Sequence, residues 1–242
     1  MRLDLVPTTP PAATPVKPPL APDAPIADLV GNLLPKLPGL PDATTPGISF
    51  GDLVGPPAPG SVLDKADMAA VKGAQLLRTP ERDAWAVRMA DEGATKVWFD
   101  LAARHRGDVG LVKGWLDTAL LASTLASNGM VTHFAKSHYD RPRPYQADPT
   151  IQPPVKLPRS SSYPSGHASS AFAAARVIAT LAPSLATEAY SLATQVAVSR
   201  VYAGVHYPSD VVAGALLGTG IAELALRITD RTAAAEPQGA FA

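Results

Sequence analysis

The 242-residue chain carries 21 basic and 21 acidic residues, with 46% of its residues hydrophobic and 17% charged. That is enough apolar material for one well-buried domain, while a zero net charge without a Lys/Arg run gives no electrostatic basis for a nucleic-acid partner. Cysteine is absent, which excludes disulfides, thiolate-bound zinc and thiol nucleophiles but leaves the compartment open.

Residues 1–60 hold 15 of the 26 prolines, one aromatic residue (Phe50) and three basic residues. Proline removes backbone donors and fixes φ, so an extended or irregular N-terminal extension is expected there. Its opening, MRLDLVPTTPPAATP, has no continuous apolar stretch of the kind that forms a secretory leader. A short apolar island at 26–34 suits one or two helical turns. A helical domain is expected over 61–232, followed by a tail at 233–242. Residues 67–77 are rich in Ala, Leu and Lys. Thr79, Pro80 and Glu81 then supply an N-cap, a first-turn proline and an early acid, predicting a helix that runs to about Ala103. Another is predicted over 111–133, with Leu116, Ala119, Leu120, Ser123 and Ser127 at three- and four-residue steps. After an irregular, Pro-rich passage at 141–163, helices are predicted over 165–181, 185–199 and 209–228. The apolar run 211–228 is interrupted by Glu223 and diluted by Gly214, Gly218 and Gly220, so it reads as a buried helix of a soluble protein and not as a membrane span. No segment alternates with period two. The fold class is therefore all-α, a single compact helical domain.

Three polar fragments punctuate the second half: residues 136–144 (KSHYDRPRP), 163–167 (YPSGH) and 199–210 (SRVYAGVHYPSD). A phosphate dianion needs fixed cations, backbone donors, a nucleophile and a proton donor. Arg143 and Arg200 can each offer a planar fork to phosphate oxygens, and Lys136 adds a point charge. Ser165 and Gly166 stand where Pro164 places a helix N-terminus, whose amides and dipole favour an anion; Gly166 also admits close backbone approach. A neutral imidazole attacks phosphorus only if its other nitrogen is held as N–H, and Asp210, four residues after His206, can be that acceptor. His167 can protonate the leaving oxygen and later deprotonate water. The scheme is double displacement through a phosphohistidine, with no metal and no cofactor.

The three fragments together resemble the tripartite signature of the type 2 phosphatidic acid phosphatase superfamily, K-x6-R-P, P-S-G-H and S-R-x5-H-x3-D, with every fixed position present. Within it, the SYPSGH run, the LLRTPER segment at 76–82 and the overall size resemble the soluble bacterial class A non-specific acid phosphatases; Ala168, where those enzymes usually carry Thr, departs from them. The resemblance implies the helical fold shared with vanadium haloperoxidases. It assigns Lys136, Arg143, Ser165, Gly166 and Arg200 to phosphate binding, His206 as nucleophile, His167 as acid and Asp210 as the partner of His206. It also implies a small-molecule phosphomonoester as substrate, inorganic phosphate as product, a periplasmic or secreted setting, and scope for a homo-oligomer. It implies no nucleic-acid partner and no integral membrane part.

Other polar and aromatic residues read as structural. His105, His133 and His138 are expected in structural or surface roles, and Asp140 and Arg141 as a local ion pair worth little. Tyr163, Tyr207, Trp85, Trp98 and Trp115 are expected to pack. No HExxH or zinc spacing occurs. The alternatives are a vanadium-dependent haloperoxidase, typically a much larger chain, a lipid-phosphate phosphatase, and a non-catalytic phosphate-binding scaffold.

Overall fold

A computed structural model describes residues 55–93 and 95–235; the expectations for the Pro-rich extension before residue 55 and for the end of the tail lie outside these. The described residues form helices α1 (Val62–Gln75), α2 (Pro80–Asp91), α3 (Lys96–Val109), α4 (Leu111–His138), α5 (Pro144–Ala147), α6 (Gly166–Leu181), α7 (Ala186–Tyr202) and α8 (Pro208–Ala235), with a 3₁₀ turn at Pro183–Leu185. No strand occurs among them.

Local chemistry sets the boundaries. Ser61 Oγ accepts from Asp64 N at 3.2 Å and caps α1, and Thr79 Oγ1 accepts from Arg82 N at 3.3 Å and caps α2. The helix expected to continue from Pro80 to Ala103 breaks instead at Gly93. There the backbone lies against Val196 and Met89 so closely that a Cβ would collide with both, and Gly93 O accepts from Trp98 Nε1 at 2.9 Å. At the end of α7, Gly204 takes φ 69°, a left-handed conformation that glycine adopts without strain. Val205 and His206 then donate back to Arg200 O at 3.2 and 3.3 Å.

The centre of the fold is α6, whose Ala168, Ala171, Ala173, Ala174, Ala175 and Val177 are wholly buried. Helices α3, α4, α7 and α8 pack around it, with Trp98, Leu121, Ile178 and Val196 in the shared core. Small side chains let the backbones approach. A Cβ at Gly214 or Gly218 would strike the carbonyl oxygens of Ser165 or Ser169, so α8 lies directly on the first turns of α6.

Two helices depart from expectation. In α4 the face marked by the three- and four-residue steps turns mostly outward: Leu116 is 66% exposed, Ala119, Ser123 and Ser127 are also exposed, and Leu120 is half-buried. The inward face is instead small and polar, comprising Gly114, Thr118, Leu121, Thr124, Asn128 and Thr132. The polar groups there are satisfied internally: Asn128 Nδ2 donates to Ser170 Oγ at 3.1 Å and Asn128 Oδ1 accepts from Ser169 Oγ at 2.5 Å. Trp115, expected to pack, is 57% exposed, with the Arg106 guanidinium 4.6 Å from its ring centroid. Over residues 208–230 of α8 only the stripe of Asp210, Gly214, Gly218, Ala222 and Leu226 is buried, while Val212, Leu216, Leu224 and Ile228 are exposed. The expectation of a buried helix is corrected. Pro208–Asp230 is long and apolar enough to cross a membrane by length and composition, and 22% of its most apolar window is buried in the protein.

Candidate active site

The three polar fragments meet at the start of α6. Ser165 caps this helix through Oγ, which accepts from Ala168 N at 3.4 Å, and its own N–H donates to Asp210 O at 2.9 Å. The Tyr163–Pro164 peptide before it is cis. The amides of Gly166 and His167 have no protein acceptor among the described residues and belong to the positive end of the helix dipole. They border a cleft of about 310 Å³, lined also by Lys136, Ser160, Thr132 and Ser170. A methyl group on Gly166 would meet only Thr132 Cγ2 at 3.5 Å and Lys136 Cε at 3.8 Å, so it would occupy the cleft floor and not the protein.

The cations lie at or behind that floor. Lys136 Nζ donates to Ser161 O at 2.7 Å, and burial, reinforced by Arg143, brings its pKa down to about 7. Arg143 is 1% exposed, and all five of its N–H groups are engaged. Nε donates to Ser160 O (2.9 Å), Nη1 to Val205 O (2.7 Å) and His206 Nε2 (3.1 Å), and Nη2 to Ser161 O (3.1 Å) and Ser160 Oγ (3.3 Å). Arg200 donates through Nη2 to Ala86 O at 2.9 Å and through Nε to Ser199 Oγ at 3.1 Å. Its Nη1 makes no protein hydrogen bond among the described residues, and burial lowers its pKa to about 10.

The histidine tautomers follow from their partners. A guanidinium only donates, so His206 Nε2 beside Arg143 carries a lone pair and Nδ1 carries the proton. Burial drives the His206 pKa down to about 3, which keeps the ring neutral. Nδ1 lies 3.4 Å from Asp210 Oδ2, too poorly aligned for a hydrogen bond, and is a buried nitrogen without a partner. Asp210 is fully buried. Its Oδ1 accepts from Arg141 Nη1 at 2.7 Å, and its Oδ2 accepts from Ser162 Oγ at 2.5 Å and Tyr207 N at 2.9 Å. Burial alone would raise this carboxyl, but His206, Arg141 and Ser162 outweigh it and hold the pKa at about 2. His167 Nε2 lies 3.2 Å from Ala90 O. A carbonyl only accepts, so Nε2 bears the proton. Burial and the Arg200 charge lower the His167 pKa to about 4.

All eight residues singled out from the sequence thus gather around one end of α6. Sequence reasoning missed Arg141, Ser162 and Asp67. The expected Asp140–Arg141 pair does not form. Arg141 is buried and bonds Asp210, Asp67 (2.9 Å) and Asp64 (3.1 Å), with its guanidinium 4.0 Å from the Tyr207 ring centroid. One signal pointed to Asp67. It stands four residues before Val71, on the same helical stripe, and these are the two buried residues of α1. Of the histidines read as structural or surface, His133 is exposed and also lines the cleft, and His105 is buried with Nε2 2.8 Å from Asp117 Oδ2.

Residues 117–233 match the model of the PAP2 superfamily. The matched stretch spans 117 of the chain's 242 residues. It begins inside α4 and takes in every one of the eight residues, leaving α1–α3 upstream of the match. The chain is 29% identical over 170 residues to a non-specific acid phosphatase of Providencia stuartii, spanning 68% of each protein. To an acid phosphatase of Zymomonas mobilis it is 28% identical over 179 residues, 69% of this chain and 65% of that one. Among solved structures, the chain resembles the transmembrane PAP2-type phosphatidylglycerolphosphate phosphatase of Bacillus subtilis (TM-score 0.55, 25% identity, 69% of this chain and 86% of that one). A bacterial vanadium-dependent iodoperoxidase shares the fold at 16% identity (TM-score 0.59, 71% of this chain and 50% of that one).

Proposed function

We infer that this chain is an acid phosphatase, hydrolysing phosphomonoesters through a phosphohistidine on His206, without a metal. The observation that carries the reading is the pairing of Arg143 Nη1 with His206 Nε2. It fixes the unprotonated nitrogen toward the cations that would hold a phosphate. The likeness to two acid phosphatases supports the reaction class. Lys136 in the cleft lining, together with the buried guanidiniums of Arg143 and Arg200, disfavours a divalent metal and favours a dianion.

The ester phosphate lies on the Gly166 and His167 amides, Lys136 and the free Nη1 of Arg200, and it takes over the Arg143 guanidinium from the protein acceptors. His206 Nε2 then attacks phosphorus while the P–O ester bond breaks, and the leaving oxygen takes a proton from His167. Asp210 stabilises the imidazolium-like ring through Nδ1–H, a contact that tightens from its resting length as the complex forms. Water next attacks the phosphohistidine, His167 accepts its proton, the N–P bond breaks and phosphate leaves. His167 is neutral in the resting site; the charge of a bound dianion offsets Arg200 and raises its pKa, arming it as an acid. The broad substrate range, homo-oligomeric assembly and periplasmic or secreted setting belong to the same proposal.

The test is hydrolysis of p-nitrophenyl phosphate in excess EDTA by wild type and His206→Ala. EDTA-resistant turnover that falls at least about a thousandfold in the variant is expected. Equal turnover in both proteins would sink the nucleophile assignment.

A second reading has its own observation. Met130, Val131 and Phe134 are exposed on the outer face of α4, beside the cleft-lining Gly129 and His133, so an apolar surface adjoins the cleft. With the likeness to a transmembrane lipid-phosphate enzyme, this favours a lipid-phosphate substrate. A higher kcat/KM on detergent-dispersed phosphatidate than on soluble esters would select it. The haloperoxidase alternative rests on fold likeness alone.

A further inference from the structure

Asp210 is held by more than its own fragment. Arg141 Nη1 donates to Asp210 Oδ1 at 2.7 Å and to Ser209 Oγ at 2.8 Å, while Nη2 donates to Asp67 Oδ2 at 2.9 Å and Asp64 Oδ1 at 3.1 Å. Asp67 in turn accepts from Ser209 N at 3.0 Å and from Ser209 Oγ. Asp67, Arg141 and Asp210 are 3%, 8% and 0% exposed. A guanidinium presents a rigid fork, so with one edge on Asp67 and the other on Asp210 it leaves the second carboxylate little freedom. Stacking on Tyr207 at 4.0 Å fixes the plane of that fork. Only Oδ2 of Asp210 is left to face His206 Nδ1.

We propose that Arg141, braced by Asp67 of α1, is a positioning residue that fixes the Asp210 carboxylate so that its Oδ2 receives His206 Nδ1–H during phosphoryl transfer. The inference rests on His206 being the nucleophile. It makes α1, which lies upstream of the matched PAP2 region, part of the machinery of the site. The Arg141 guanidinium is spent on Asp210, Ser209, Asp67 and Asp64, and the Asp67 carboxylate on Arg141 and Ser209, so neither is among the groups assigned to phosphate. Their loss therefore acts on the chemical step and leaves phosphate binding intact.

The experiment compares wild type, Arg141→Gln, Asp67→Asn and His206→Ala in steady-state hydrolysis of p-nitrophenyl phosphate, with inorganic phosphate as competitive inhibitor. Each protein is first checked for wild-type helical circular dichroism. Arg141→Gln and Asp67→Asn are expected to lower kcat by about ten- to a hundredfold, the size found for groups that orient a metal-bound histidine. KM and the phosphate inhibition constant should stay within about twofold. A folded variant with wild-type kcat, or one whose loss lies in KM and phosphate affinity, would overturn the inference and leave a merely structural tie between α1 and α8. If Arg141→Gln does not fold, Arg141→Lys replaces it, since it keeps the charge but cannot bridge both carboxylates, and the same two outcomes decide. An inactive wild type, or an active His206→Ala, would instead remove the phosphohistidine reading and this inference with it.

Discussion

His206 and His167 differ in what they need from their surroundings, and pH separates them. With a pKa of about 3, His206 is neutral at any pH above that value, as the proposed nucleophile must be, where an ordinary histidine would be protonated below about 6.5. His167, at about 4 in the unliganded site, is neutral over most of the same range, so the proton for the leaving group can arrive on the substrate monoanion. An ester phosphate loses that proton near about pH 6. The kcat/KM profile is therefore expected to hold down to about pH 4 and to decline above about pH 6. An acid limb near the ordinary histidine value would show that His206 is not buried neutral. His167→Ala should cost about a hundred- to ten-thousandfold on alkyl phosphates and less on p-nitrophenyl phosphate, whose leaving group departs unprotonated. Equal losses on both would remove the acid role.

The contact between α8 and α6 holds the helix start that bears Ser165, Gly166 and His167. Gly218→Ala would drive a methyl group into Ser169 O, a backbone atom that cannot rotate away, and should cost about 1–3 kcal/mol and roughly 2–12 °C in Tm. Gly220→Ala in the same helix meets nothing within 4 Å and should stabilise by up to about 1 kcal/mol. Thermal unfolding of the pair isolates close packing from helix propensity; equal shifts would show that it does not matter. These elements were legible in the sequence to different degrees. The helix starts at Thr79 and Ser165 were readable because capping is local. The inward face of α4 was not. The spacing of Leu116, Ala119 and Leu120 marks one face of a helix but not which face meets α6, and here tight packing selected Gly114, Thr118 and Asn128. The eight candidate residues that meet at the start of α6 could be picked out because each fragment has fixed internal spacing. Arg141 and Asp67 stand 74 positions apart, and no local pattern joins them.

On the scale of the molecule, the helices upstream of the PAP2 match are not an ornament. Helix α2 supplies Ala86 O to Arg200 and Ala90 O to His167, α1 supplies Asp67, and α3 places Trp98 in the core. A fragment limited to residues 110–235 would strand a buried guanidinium and open the core, and is expected to lose both turnover and a cooperative thermal transition. Wild-type turnover from that fragment would show that α1–α3 are dispensable.

The fully occupied guanidinium of Arg143 also bears on how the catalyst is cleared. On the phosphatase reading, phosphate finds no vacancy at this guanidinium. It competes with Ser160, Ser161 and Val205, acceptors that are covalently part of the site and return to Arg143 the moment the anion departs. Each bond gained by the ligand is one lost by the loop, so the net hold on phosphate is the difference between two similar sets of hydrogen bonds. On the phosphatase reading, product held at Arg143 thus has no grip there that the protein does not itself contest, and that part of the site renews itself by closing on its own backbone.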